Sequence, residues 1–256
     1  MKRIALLGMP NTGKSTFFNR VTGASARVGN WPGVTVDLMS AKVLIGAEVV
    51  ELIDLPGIYD LHGFSDDEQV VRHFLEHNPL DLLVIILNTS QIERQLSIAL
   101  QLRQLNLPVV LLLNMADEAK RFGITVDAKK MADRLGMPVV LLSAKYGEGY
   151  ENARAAIADA LARSRKTKPE KLRELLSADD QIETEMDAVV RQTVHVPVQL
   201  ADDLTARIDR VLLHPWLGLP IFFVFMYLLF QAIFFLGKPL QDGVGWLLGL
   251  IREEVL

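Results

Sequence analysis

Short runs of Val, Ile and Leu alternate with longer amphipathic stretches over the first 165 residues. The runs lie at 4–8, 49–54, 82–87, 109–114 and 139–143. Because they show no polar alternation, they are typical of parallel strands that helices cover on both faces. Residues 36–45, followed by Gly46-Ala47, predict a further strand that turns back antiparallel to the next run. The pattern predicts a doubly wound α/β sheet with a ligand at the carboxyl ends of its strands.

Composition limits the classes of function open to the chain. Its 256 residues suffice for one full α/β domain and a smaller part. A net charge of -4 without a basic block gives no electrostatic support for a nucleic-acid partner. The absence of cysteine excludes disulfides and thiolate metal sites. No cleavable signal peptide is expected before the first strand, so the N-terminal part is expected in the cytosol.

The composition changes after the α/β domain, which is predicted to span residues 1–165. Residues 166–213 predict a small helical spacer without a strand. Residues 217–237 carry no charge and are long enough for a transmembrane helix, which we place within 214–240. Arg207 and Arg210 precede it and favour a cytosolic N-terminal side. Residues 241–256 predict an interfacial or extracytoplasmic segment.

The loop after the first strand fits the phosphate-binding pattern G-x-x-x-x-G-K-[ST]. It reads Gly8-Met9-Pro10-Asn11-Thr12-Gly13-Lys14-Ser15, with Thr16 next in the predicted helix. The glycines let backbone N–H groups converge on phosphate oxygens at the positive end of that helix. Lys14 is expected to reach the β- and γ-phosphates, and Ser15 is expected to ligate Mg²⁺.

A second phosphate-side element, Asp54-Leu55-Pro56-Gly57, ends the run at 49–54. It matches the D-x-x-G of nucleotide hydrolases, in which Asp54 would hold Mg²⁺ and the Gly57 N–H would contact the γ-phosphate. The next residue, Ile58, is apolar and cannot orient an attacking water. Hydrolysis is therefore expected to be slow or to depend on another group.

Two elements indicate guanine as the base. They are Asn114-Met115-Ala116-Asp117 and Ser143-Ala144-Lys145, which are similar to the N-K-x-D and S-A-K elements of small GTPases. Asp117 can accept from guanine N1–H and N2–H₂, a pair that adenine lacks, which discriminates by about 1–3 kcal/mol. The Ala144 N–H would donate to guanine O6. Met115 replaces the usual Lys and would lie along the base.

A switch threonine is expected between the phosphate-loop helix and the strand at 36–45. Thr35, in Gly33-Val34-Thr35, occupies this place. Such a threonine closes on Mg²⁺ when GTP is bound.

The chain resembles the ferrous iron transport protein B family over essentially its whole length. The strings that carry the resemblance are Val28-Gly29-Asn30-Trp31-Pro32-Gly33-Val34-Thr35-Val36, Asn114-Met115-x-Asp117 and Leu217-Gly218-Leu219-Pro220-Ile221-Phe222. The resemblance implies a P-loop small-GTPase-like domain in the cytosol, a spacer similar to a nucleotide-dissociation inhibitor, and a polytopic Fe²⁺ pore in the bacterial cytoplasmic (inner) membrane. The spacer looks shorter than is usual in the family. With one predicted span, the chain looks like an N-terminal fragment.

The same resemblance implies activation by potassium, because the family belongs with GTPases that carry Asn in the phosphate loop, matched here by Asn11. In that interpretation, Asn11 and the carbonyls of Gly29 and Trp31 hold K⁺ beside the β- and γ-phosphates. The cation would supply the charge that an arginine finger provides elsewhere. The alternative is that Asn11 only stabilises its own loop.

The sequence thus predicts a GTP-binding and GTP-hydrolysing regulatory domain of a ferrous iron membrane transporter, slow and K⁺-stimulated, with Asn11, Lys14, Thr35 and Gly57 as the catalytic group. Expected partners are GTP and GDP, membrane lipid and the rest of the transporter that carries Fe²⁺, without nucleic acid. A homo-oligomer is left open. The alternatives are a potassium-activated GTPase of ribosome or RNA maturation, and a nucleotide sensor that does not hydrolyse.

Two features fall outside this nucleotide site. The string His73-Phe74-Leu75-Glu76-His77 fits the inverted zinc-protease motif H-x-x-E-H. It has no evident third ligand, so an exposed helix face is preferred over catalytic zinc. Trp31 either packs on the domain or acts as a mobile surface anchor, and the sequence does not decide between these alternatives.

Overall fold

The fold is described from a computed structural model that covers residues 1–23, 27–29, 31, 38–62, 64–104, 107–164, 179–196, 211–214 and 216–255. Two compact units make up the chain, Met1–Val198 and Gln199–Leu256. The predicted domain boundary at 165 lies outside the described residues and stays a prediction.

The described residues of the first unit form these strands: β1 (Lys2–Gly8), β2 (Arg27–Gly29), β3 (Leu38–Ile45), β4 (Glu48–Asp54), β5 (Leu82–Asn88), β6 (Val109–Asn114), β7 (Thr125–Val126), β8 (Val139–Leu141) and β9 (Val194–His195). Seven form one sheet in the order β2-β3-β4-β1-β5-β6-β8. The pairs from β4 through β1, β5 and β6 to β8 are parallel, whereas β3 runs antiparallel to β2 and β4. The predicted parallel sheet with its returning strand is confirmed, although residues 36 and 37 lie outside the described residues.

Among the described residues up to 164, helices cover both faces of this sheet: α1 (Lys14–Thr22), α2 (Asp66–His77), α3 (Ile92–Arg103), α4 (Ala116–Arg121), α5 (Ala128–Leu135) and α6 (Tyr150–Arg163). Alternate residues of β1 enter different cores, since Leu6 packs in one with Phe17 of α1, and Leu7 packs in the other with Phe74 of α2. Burial of both strand faces explains why the runs lack polar alternation. The carboxyl ends of β1, β4 and β6 thereby meet at one edge of the sheet.

Helix α2 follows the Asp54–Gly57 segment and begins with a reciprocal cap. The Glu68 N–H donates to Ser65 Oγ at 3.2 Å, and the Ser65 N–H donates to Glu68 Oε2 at 3.0 Å. Asp66 and Asp67 lie in the first turn, where acidic side chains favour the positive end of the helix.

Part of the predicted spacer packs on the α/β domain. Helix α7 (Asp179–Thr193) lies against α3 and α5, and it buries Ile182 and Val189 in the core that contains Phe74. Arg103 Nη2 donates to both carboxylate oxygens of Glu185 at 2.7 Å. Strand β9 then pairs antiparallel with β7. The prediction of a spacer without a strand is therefore wrong, because a two-residue strand is too short to show a period-2 pattern.

The second unit contains the helix α8 (Gly218–Val255), which is 38 residues long. Its stretch Gly218–Phe235 has a mean hydropathy of 2.1 and none of it is buried, so by length and composition it could cross a membrane. Helix α8 continues through the segment expected at 241–256 as far as Val255, and its interfacial or extracytoplasmic position stays a prediction. The glycines at 243, 245 and 249 do not end this helix, since each costs a helix only about 1 kcal/mol.

Replacing the buried Ile182 tests whether α7 folds together with the sheet. Its side chain is 3% exposed, so Ile182→Ala should lower the free energy of unfolding by about 2–5 kcal/mol. The measurement is urea unfolding of the full chain in mild detergent, followed by circular dichroism. The exposed neighbour on the same helix provides the control, and Glu183→Ala should change stability by less than about 0.5 kcal/mol. A separate minor transition that alone responds to Ile182→Ala would show that α7 unfolds independently.

Candidate nucleotide-binding site

The predicted phosphate loop lies between β1 and α1, as its motif requires. Gly13 has φ 82°, and a Cβ there would lie 2.2 Å from Asn114 Nδ2. A Cβ on Gly8 would lie 2.2 Å from the Ile86 carbonyl oxygen. Asn11 also adopts a left-handed backbone, with φ 62°, and its side chain is exposed. Both motif glycines are therefore required by close packing, in addition to any role toward phosphate.

The side chain of Asn114 joins the phosphate loop to the loop at 143–145. Its Nδ2 donates to the Thr12 carbonyl at 2.8 Å, and its Oδ1 accepts from the Ala144 N–H at 2.8 Å. The Asn114 carbonyl accepts from Thr89 Oγ1 at 2.6 Å. The Ala144 N–H, predicted from the sequence to donate to guanine O6, already donates to Asn114 Oδ1. Guanine O6 would have to share this N–H with Asn114 or replace it as the acceptor. Asn114 thus serves as a structural bridge between the two ends of the site.

Lys14 and Asp54 form an ion pair between Lys14 Nζ and Asp54 Oδ1. Each side chain is 11% exposed, so solvent screens the pair weakly. Burial raises the pKa of the Asp54 carboxyl, and the adjacent Lys14 charge offsets part of this rise. One cation and one carboxylate therefore lie together at the carboxyl ends of β1 and β4.

The segment from Leu55 to Ile58 packs directly on the phosphate loop. The Leu55 N–H donates to the Leu6 carbonyl and the Ile58 N–H donates to the Gly8 carbonyl, both at 3.1 Å. A Cβ on Gly57 would lie 3.0 Å from Pro10 N, so only glycine allows this approach without a shift. The Ile58 side chain is 1% exposed and belongs to the core, which directs it away from solvent and from any attacking water.

The elements predicted to contact the base follow β6 and β8. Met115 has φ 60° and ψ 34°, and it directs the chain into α4, whose first turn contains Asp117. The Ala116 N–H donates to the Leu142 carbonyl at 3.1 Å, which ties α4 to the neighbouring loop. The run at 139–143 is shorter than predicted, because β8 ends at Leu141 and the Ser143 N–H donates to the Glu148 carbonyl in the loop. Lys145 is exposed, with Nζ 5.2 Å from the Tyr146 ring centre.

The predicted switch loop is placed only in part. Gly33, Val34 and Thr35 lie outside the described residues. Trp31 makes an edge-on contact with Phe74, with ring centres 5.4 Å apart, and the Arg3 guanidinium lies 5.3 Å from the Trp31 ring. Of the two alternatives for Trp31, the structure shows packing on the domain. The contact joins the switch loop to α2, which follows the Asp54–Gly57 segment.

Arg20 and Thr89 support the site although no motif predicts them. Arg20 Nη1 donates to the Ala144 carbonyl at 3.4 Å. The Arg20 guanidinium packs against Gly147, where an added Cβ would lie 2.2 Å from Arg20 Nη2. The glycine at position 147, which has φ 82° in the structure, is the signal that the sequence offers, but it does not identify the partner. Thr89 is 1% exposed and fixes Asn114 from the β5 side.

The chain is similar to known proteins in both sequence and structure. Residues 2–157 match the family described as Ferrous iron transport protein B. The Fe(2+) transporter FeoB of Synechocystis sp. is 45% identical over 260 residues, which cover 100% of this chain and 42% of that protein. The chain therefore spans less than half the length of this relative.

Two solved structures share the fold of the first unit. The cytosolic domain of L. pneumophila FeoB has a TM-score of 0.67 and 27% identity, over 76% of this chain and 100% of that one. An S. thermophilus NFeoB N11A mutant bound to mGDP has a TM-score of 0.58 and 36% identity, over 64% and 62% of the two chains. With the family match over residues 2–157 and the geometry of the site, these similarities show that the chain belongs to the ferrous iron transport protein B family.

Proposed function

We propose that this chain binds and hydrolyses GTP as the regulatory domain of a membrane transporter for ferrous iron. The observation that carries the proposal is the bridge through Asn114, which connects the phosphate loop at Thr12 with the base loop at Ala144. One side chain thereby holds together the phosphate-binding end and the base-binding end of the proposed nucleotide site. The relative's name, Fe(2+) transporter FeoB, and the mGDP bound in the similar S. thermophilus structure support the same function.

Guanine selectivity rests on Asp117 in the first turn of α4. Its carboxylate makes no hydrogen bond or ion pair among the described residues and is therefore available to guanine N1–H and N2–H₂. The hydrogen bond between Asn114 and the Ala144 N–H fixes the adjacent loop. Met115 lies in the chain between Asn114 and Asp117. Adenine would leave this carboxylate without its two donors.

Oxygen donors for Mg²⁺ are available on the phosphate side of the site. Ser15, in the first turn of α1, and the Asp54 carboxylate are hard ligands of the kind that Mg²⁺ prefers, and Thr35 is proposed as a third. When bound, Mg²⁺ neutralises negative charge on the phosphates. Lys14 would exchange its contact with Asp54 for the β- and γ-phosphates, and the Gly57 N–H would contact the γ-phosphate.

Asp117→Asn tests the proposed base contact. The variant should weaken GTP binding by about 1–3 kcal/mol, because an amide replaces the acceptor of two guanine donors. Binding of xanthosine triphosphate should improve, because xanthine carries a carbonyl where guanine has its amine. The measurement is calorimetric titration of the full chain in detergent with each nucleotide.

A matched control for this variant lies on α5, where Asp133 is exposed away from the site. Asp133→Asn should leave both nucleotide affinities unchanged. Equal GTP affinity in Asp117→Asn and the parent would remove Asp117 from the site. In the full-length transporter, the same substitution should reduce cellular uptake of radioactive Fe²⁺, and undiminished uptake would separate nucleotide binding from transport.

Stimulation by K⁺ is proposed because the described phosphate-contacting strings offer no arginine and Ile58 is buried. Asn11, exposed in the phosphate loop, would contribute its carbonyl oxygen, and the backbone at Gly29 and Trp31 would complete the coordination. Hydrolysis should be faster in K⁺ than in Na⁺ at equal ionic strength, and Asn11→Ala should abolish this difference. The measurement is the rate of GTP hydrolysis by the full chain in each salt.

The left-handed backbone of Asn11 calls for a second variant. Asn11→Ala strains the loop by about 1–2 kcal/mol, whereas Asn11→Gly removes the side chain without strain. Loss of K⁺ stimulation in both variants assigns the effect to the side chain. The same turnover in K⁺ and Na⁺ in the parent would contradict the cation mechanism.

Ile58 offers a control position beside the phosphate loop. Ile58→Ala would cost about 2–5 kcal/mol of core stability, so the milder Ile58→Val is the preferred control variant.

Membrane insertion of α8 is proposed with the first unit on the cytosolic side of the bacterial inner membrane. Each Leu, Ile, Phe or Val at the centre of a span favours insertion by about 0.3–0.6 kcal/mol, which over residues 217–237 outweighs the one strongly polar residue, Gln231. The full chain should remain in the membrane pellet after carbonate extraction. A chain truncated after Arg210 is the control and should stay in the supernatant and bind GTP. Extraction of the full chain by carbonate would contradict the proposal.

A further inference from the structure

The last two turns of α2 carry His73, Glu76 and His77 on one face. One ligand atom from each residue lies within 4.8 Å of the other two. The two imidazoles are stacked, with ring centres 4.0 Å apart and planes inclined by 17°. Spacings of three and four residues place side chains over one another on a helix, which explains this arrangement. The third ligand that the motif lacked in sequence is therefore Glu76, within the motif itself.

The hydrogen bond of His77 selects the form of its ring that binds metal. His77 Nδ1 lies 2.8 Å from the His73 carbonyl oxygen. Because a carbonyl only accepts, Nδ1 carries the proton, and the lone pair of the neutral ring is on Nε2. Metal-binding histidines commonly donate their second ring N–H to a carbonyl or carboxylate, which fixes the ring and raises its basicity. His77 already has this second contact.

Glu76 is only loosely paired within the protein. Its Oε1 lies 3.8 Å from Arg72 Nε, beyond hydrogen-bond distance. The Arg72 guanidinium instead donates through Nη1 to the His62 carbonyl at 2.9 Å. The Glu76 side chain is 31% exposed, so its carboxylate can turn toward an ion without leaving a buried charge unpaired.

We propose that His73, Glu76 and His77 form a binding site for a first-row divalent transition metal ion, of the class of Fe²⁺, Co²⁺ and Zn²⁺. Two imidazoles and one carboxylate are the ligand set that these ions favour, and solvent would fill the remaining positions. Mg²⁺ and Ca²⁺ prefer all-oxygen ligands and fit poorly. Both histidines are exposed on the helix surface, which suits a surface metal site and does not suit the enclosed cleft of a protease.

The opposite face of α2 explains why a metal here would matter to the fold. Phe74, next to His73, is fully buried and contacts Trp31 of the switch loop. His73 and His77 are four residues apart, so an ion that links them would stabilise the last turn of the helix. Metal binding does not depend on nucleotide hydrolysis, so a chain that failed to hydrolyse GTP would still bind the ion.

Cobalt titration tests the site. The full chain, in detergent and without an affinity tag, is titrated with Co²⁺ and followed by visible absorption. One Co²⁺ should bind per chain with new ligand-field bands; equimolar Zn²⁺ should displace it, and a large excess of Mg²⁺ should not. Absence of Co²⁺ binding, or displacement by Mg²⁺, would overturn the proposal.

Variants assign the binding to these residues. His73→Gln and His77→Gln should each weaken Co²⁺ binding by at least about tenfold, and the double variant should abolish it. His195→Gln, in the exposed strand β9, is the matched control and should bind as the parent does. Circular dichroism checks that each variant is folded. Unchanged Co²⁺ affinity in a folded double variant would overturn the assignment.

Discussion

The side chain of Asn114 holds the nucleotide end of this protein together. It is 3% exposed, and both ends of its carboxamide are used, one on the Thr12 carbonyl and one on the Ala144 N–H. Removing a buried partner of this kind leaves its neighbours unsatisfied at a cost of about 1–3 kcal/mol each. The phosphate loop, β6 and the loop after β8 therefore keep their relative positions through one residue. Thr89 and Arg20 hold the same assembly from its two sides.

Close backbone approaches complete this arrangement. Gly13 makes room for the Asn114 carboxamide, Gly57 lies against Pro10, and Gly147 makes room for Arg20. Any Cβ at these positions would meet atoms within 3.0 Å. Of the described residues with side chains, Asn11 and Met115 also adopt left-handed conformations, Asn11 within the phosphate loop and Met115 directly before α4. The site is thus set by packing of the polypeptide itself before any ligand chemistry is considered.

The alternation of apolar runs was sufficient to predict the parallel sheet, because burial on both faces requires Val, Ile and Leu without a polar period. Motif spacing likewise placed Lys14, Asp54 and Asp117 at one edge. The pairing of β7 with β9 could not be predicted, since two residues show no periodicity. The contact of Arg20 with the Ala144 carbonyl depends on tertiary structure and has no local signal. Ile58 was recognised as apolar, but only the fold shows that its side chain enters the core.

The ion pair between Lys14 and Asp54 has a thermodynamic consequence. A phosphate that attracts Lys14 would leave a carboxylate, 11% exposed, without its counter-charge, and a divalent cation would compensate it. A cation that binds Asp54 first would in turn release Lys14 for the phosphate. We therefore expect nucleotide and divalent cation to raise each other's affinity, by the same factor in either order of addition, as linkage requires. A factor of one, that is, independent binding, would contradict this exchange of partners. The resting contact would make the two ligands one cooperative unit.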